Sequence, residues 1–160
     1  MEKIEKMTKM TNLELKRKIY EESLNKQKSL IDNSSEAMQQ AQESANETQG
    51  AMGEKFESFR EQCQIDRDLY AKQLQEAISG FATLKQIQVE KEYDKVAVGS
   101  VVITDTQAFF IAVSVGTLKI NDKTFFVISP QSPLYQAMAG RKKNEIFSFR
   151  DKTHTIKEVF

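Results

Sequence analysis

Between Asn12 and Gln88 the chain contains no proline, and its only glycines there are Gly50, Gly53 and Gly80. A stretch this long without a helix breaker, rich in Glu, Gln, Lys, Ala and Ser, is built to be helical. Its apolar residues form two thin stripes. The second runs Phe56, Phe59, Cys63, Tyr70, Leu74, Ala77, Phe81, Leu84, with most steps of three or four residues and Asp66 as an interruption. The first runs Leu13, Ile19, Tyr20, Leu24, Ile31, Met38, Ala41, Ala45 and becomes smaller towards its end. Each stripe is the mark of a helix with one buried seam. Gly50-Ala51-Met52-Gly53 lies between them as the natural reversal. Two antiparallel helices of about 35 residues would make a coiled-coil hairpin roughly 50 Å long. The polar run Gln39–Gln49 reads as helix with little to pack against, and the interrupted seam leaves a homomeric coiled coil open.

From Val96 the pattern changes to period two, with β-branched and aromatic residues. Strands are expected near Ser100–Thr104, Ala108–Val113, Leu118–Ile120, Thr124–Ile128, Glu145–Phe149 and Thr153–Val159, with hairpin turns at Asn121-Asp122 and Asp151-Lys152. Ser132 is placed to cap a short helix that Pro133 opens and Gly140 stops, followed by Arg141-Lys142-Lys143. The expected fold is therefore α+β: a coiled-coil hairpin over residues 1–90, with an acidic tip near 50–57, and a domain over 91–160 made of a mostly antiparallel sheet with one short helix. A core of that size is thin, so the hairpin is expected to pack against it.

Formal charges cancel, but not locally: residues 1–30 carry +3, residues 31–66 carry −6, and the remainder +3. A balanced total argues against simple coating of nucleic acid. The basic start of the first helix, Lys16-Arg17-Lys18 with Lys26 and Lys28, reads as a solvated face that could also steer contacts with RNA or a partner. Cys63 is the only cysteine and His154 the only histidine, which excludes an internal disulfide and a zinc site of the usual ligand set. Cys63 reads as a core residue and His154 as structural, in the last strand. No apolar run follows the charged N-terminus or approaches the ~20 residues needed to span a bilayer, so a cytoplasmic protein without a signal peptide is expected. No nucleophile elbow, P-loop or dinucleotide fingerprint occurs, hence no enzyme site and no cofactor of the chain's own.

Ser132-Pro133-Leu134, Ala137, Gly140-Arg141-Lys142 and Asn144-Glu145, with Val98-Gly99-Ser100-Val101-Val102 before them, resemble the C-terminal signature of Gre-type bacterial transcription elongation factors, the transcript-cleavage factors. The likeness covers most of residues 96–160. It implies a coiled-coil hairpin followed by a domain with an FK506-binding-protein-like fold. It also implies a partner, RNA polymerase, whose secondary channel the hairpin enters as a monomer. There, acids at the hairpin tip assist the polymerase's own metal-dependent cleavage of backtracked nascent RNA. The family's tip motif, Gly-Asp-x-x-Glu, is met by Gly53-Glu54-Lys55-Phe56-Glu57, with Glu in place of the Asp. Glu54 and Glu57 are thus the candidate tip acids, sharing a Mg²⁺ ion only within the polymerase. The implied docking residues at the channel rim are Ser132, Pro133, Leu134, Arg141, Lys142 and Lys143.

The same residues also have local readings. Glu54 and Glu57 share one helix face and complement the positive end of a helix, which stabilises a helix start whatever the function. Cations beyond the end of a helix are favourable for the converse reason. Lengthening the first tip acid by a methylene alters an arrangement in which geometry controls chemistry. A Gre-like regulator without cleavage activity therefore stays open. So do a coiled-coil scaffold and a prolyl isomerase, although fold alone does not carry that activity and no Trp exists to floor a proline pocket, leaving Phe or Tyr.

Overall fold

The structure, a computed structural model, describes residues 11–47 and 54–160; the side chains of residues 54–56 are outside that description. The expected reversal at 50–53 also lies outside the described residues. Two long helices come first, α1 (Asn12–Glu47) and α2 (Glu54–Lys85). Six strands follow, β1 (Val101–Thr104), β2 (Ala108–Ile111), β3 (Gly116–Ile120), β4 (Lys123–Ile128), β5 (Ile146–Phe149) and β6 (Lys152–Val159), with a short helix α3 (Pro133–Met138) between β4 and β5. The α+β fold with an N-terminal helical hairpin is as the sequence led us to expect. The chain forms two compact units, one of residues up to Asn25 with Thr83–Phe160, the other Lys26–Ala82.

Within Lys26–Ala82 the two helices run antiparallel, since Gln27 pairs with Ala77 while Met38 and Gln42 share a groove with Arg67. Among the described residues its buried side chains are few: the small Ala45, Cys63 and Ala77, and one polar residue, Gln27. The Gln27 amide donates to the Ala77 carbonyl at 2.7 Å. It reaches that carbonyl because Gly80 stands one turn on: a Cβ there would lie 2.5 Å from Gln27 Nε2. Phe59, expected on the seam, is 51% exposed.

In the other unit, Thr11 caps α1 reciprocally. Glu14 N–H donates to Thr11 Oγ1 at 3.2 Å, and Thr11 N–H to the Glu14 carboxylate at 3.4 Å. The sheet order is β3-β4-β2-β1-β6-β5. Four neighbouring pairs are antiparallel and one, β2 with β4, is parallel. Side chains alternate across the central strands. Val101, Phe110, Phe125 and Val127 face a core that includes Ile19 and Leu84 from the helix bases. Val102, Phe109, Ile111 and Ile156 face a second core that takes in Met138 of α3. Covered on both sides, β2 is buried at all four positions. This double cover is why the first residues of α1 and the last of α2 belong with the sheet. Two sequence expectations fail at the base of α1. Leu13 is 38% exposed, whereas Lys16, read as a solvated cation, is 2% exposed. Its ammonium donates to the Lys91 carbonyl at 2.8 Å and lies 4.4 Å from the Tyr93 ring centroid.

Both β-hairpin turns carry two consecutive residues in the left-handed region, which the right-handed strand twist favours. Asn121 (φ 51°) and Asp122 (φ 65°) join β3 to β4 at the expected place. The second turn is Arg150 (φ 51°) and Asp151 (φ 63°), one residue earlier than expected. Lys152 instead pairs with Phe149 as the first residue of β6.

Candidate functional site

The residues singled out in the sequence fall at two places, one in each unit. The first is the start of α2. Glu54 is its first residue, and Glu57, one turn later, is exposed. Among the described residues no group of three or more His, Cys, Asp or Glu side chains gathers to hold a metal ion. Glu54 and Glu57 alone offer two carboxylates, and Mg²⁺ takes six oxygen ligands, so the remaining ligands of any shared ion have to come from a partner and from water.

The second place is α3 and the turn after it. Ser132 caps α3: its Oγ accepts from Tyr135 N–H at 3.2 Å, and its φ of −67° and ψ of 142° are extended, as a cap requires. Pro133 occupies the first helical position, where its missing N–H costs nothing. Leu134 is half-buried against the second core. Gly140 turns the chain with a φ of 76°, and its N–H donates to the Val96 carbonyl at 2.9 Å. Val96 N–H returns the bond to the Arg141 carbonyl at 2.8 Å. Arg141, Lys142 and Lys143 are all exposed on this turn.

Sequence reasoning missed one member of this group. The backbone of Lys95 bridges that of Lys142, so a fourth exposed cation joins Arg141, Lys142 and Lys143. Position in the chain hid it, because Lys95 stands in the link before β1, far from the other three in sequence. The only signal was the apolar Val96 beside it, which is 2% exposed and had to be anchored somewhere. Arg150 and Lys152 were likewise not singled out, because a turn placed at Asp151-Lys152 hid that Arg150 stands in it and Lys152 opens β6.

No family model and no curated protein matches the chain. Among solved structures it is similar to the transcription factor Gfh1, at 12% identity over 84% of this chain and 90% of that one, with a TM-score of 0.36. It is also similar to GreA factor homolog 1 (Gfh1) of Thermus thermophilus, at 10% identity over 86% of this chain and 94% of that one, with a TM-score of 0.32.

Proposed function

We propose that this chain is a Gre-like transcription elongation factor. It binds RNA polymerase in the cytoplasm as a monomer, places its hairpin in the secondary channel, and assists the polymerase's own cleavage of backtracked RNA through Glu54 and Glu57. The observation that carries the reading is the run from Ser132 to Glu145. It resembles the Gre-type signature in order and spacing, and its parts fold as a capped short helix, a left-handed glycine stop and an exposed cationic turn. That turn, joined by Lys95, is the surface offered to acidic groups at the channel rim. The protein is an accessory factor rather than an enzyme: the cleavage chemistry and its Mg²⁺ belong to the polymerase, and the nascent RNA is the polymerase's substrate.

The experiment joins binding to chemistry in one tube. Bacterial RNA polymerase is captured with the purified protein, and a backtracked complex is then followed for RNA shortening with Mg²⁺. Capture with shortening supports the cleavage reading. Replacing both acids (Glu54→Ala, Glu57→Ala) should then keep capture and slow shortening by about tenfold or more. One residue favours a second reading, a Gre-like regulator without cleavage, namely Glu54 where the family motif has Asp. Capture without shortening selects that reading. Absence of capture sinks both.

A further inference from the structure

A cleft of about 450 Å³ opens beside the β5–β6 hairpin. Its walls include Phe109, Phe147, Phe149 and Leu134, and Arg150 and Lys152 stand along it. Among the described residues no Asp or Glu lines it. Among the described residues neither cation has a carboxylate within ion-pair distance. The Arg150 guanidinium lies 5.1 Å from the centroid of the Phe149 ring, which holds it against an apolar wall. His154 is fixed as well, stacked on Phe147 at 5.2 Å with its Nδ1 3.2 Å from Thr106 Oγ1.

We propose that this cleft is a binding site for a small organic anion: a flat apolar body set against the phenylalanine wall and Leu134, with one phosphate, sulfonate or carboxylate group on Arg150 and Lys152. Three observations meet here. The size falls within that of small-molecule sites, and a mostly apolar lining with a few convergent polar groups is their usual make-up. Arg150 and Lys152 have no ion-pair partner among the described residues, even with Asp151 between them in the turn, so an anion in the cleft completes the pair. The third observation is Arg150 itself. The chain builds the same two-residue turn twice, with nearly the same angles and with Asp second in both. At Asn121 it uses a residue suited to the left-handed region; at Arg150 it places a long side chain that is not. Strain of that kind is found where a side chain is needed for a task, and the task on offer is the cleft.

The test is a fluorescence titration of the full chain with 1-anilinonaphthalene-8-sulfonate, alongside its neutral counterpart N-phenyl-1-naphthylamine. One saturable sulfonate site per chain is expected, with the neutral compound bound about tenfold more weakly. Arg150→Asn recreates the Asn-Asp turn of the other hairpin. It should raise the thermal midpoint while weakening the sulfonate probe about tenfold, so that lost binding cannot be ascribed to a lost fold. Lys152→Gln, at an exposed strand position, should weaken the probe without lowering the midpoint. The proposal is overturned by the absence of a saturable site, by equal binding of charged and neutral probes, or by binding that both variants leave within twofold. Displacement of the probe by an acidic peptide but not by adenosine monophosphate would overturn it too, by assigning the cleft to a polypeptide. No polymerase enters this test, so its outcome is separate from that of the transcription reading.

Discussion

Lys16 is among the largest fully buried side chains of the described residues, and it is a cation. Burial pulls its ammonium down from the ordinary 10.5 to about 8, with the nearby Glu92 carboxylate pulling the other way. Between those values the unfolded chain binds more protons than the folded one, so this site's contribution to stability rises with pH through the window. Below it the site opposes folding, because a charged ammonium has to be kept out of water. Lys16→Met removes the titration and keeps the stem's volume. The stability of the wild type relative to that variant should therefore be flat below about pH 7 and climb towards about pH 10.5, as read from denaturant midpoints across a pH series. A difference independent of pH would show that Lys16 is solvated in solution. The sequence offered no sign of any of this. Lys16-Arg17-Lys18 looks like one solvated face, and only the fold distinguishes Lys16, which faces the Lys91 carbonyl and the Tyr93 ring, from Arg17, which meets Glu90 at the surface.

At the scale of elements, the hairpin's seam holds a polar contact where periodicity led us to expect only apolar ones. Gly80 sits inside α2, where alanine would ordinarily stabilise a helix by about 1 kcal/mol. Here an added methyl would displace the Gln27 amide from the Ala77 carbonyl and leave a buried amide unpaired, a cost of about 1–3 kcal/mol. Gly80→Ala alone should thus be neutral or destabilising, yet stabilising in a Gln27→Ala background. A thermal-unfolding double-mutant cycle without that reversal of sign would remove the contact from the account. The strands were legible from β-branched and aromatic residues bounded by turn signals, as in the short continuous apolar run Ala108–Ile111 of a strand buried on both faces. The capped α3 was legible for a similar reason: Ser132 and Pro133 each have a chemical role at a helix start. Two features were not legible. The pairing of β2 with β4 is parallel because β3 intervenes as the partner of β4, and strand order is a tertiary property. Arg150 broke the rule that locates such turns, since residues suited to the left-handed region signal them and arginine is not one. Around the candidate docking residues, the helix start at Ser132 and Pro133 was readable from local chemistry, whereas Lys95 joined Lys142 only through the fold.

Across the whole molecule the two units differ in what they bury. Among the described residues both hydrophobic cores belong to the unit of the sheet and the helix bases, while Lys26–Ala82 has a narrow seam of small side chains. Local opening follows buried apolar contact. Amide hydrogen exchange should accordingly be faster within Lys26–Ala82 than in β1 and β2, and equal protection in the two would contradict the unequal cores. The sheet's connectivity also bears on how the protein is made. β6 lies between β1 and β5, and Val101 exchanges both of its backbone hydrogen bonds with Phe160, at 2.8 and 3.0 Å. A ribosome adding about 5–20 residues per second would release β1 several seconds before the strand that covers its flank. During that interval Val101–Thr104 and Ala108–Ile111, both rich in β-formers, are out of the tunnel with one neighbour missing. The newborn chain is therefore half-dressed: until β6 arrives, the flank of β1 offers unpaired backbone groups to any passing strand.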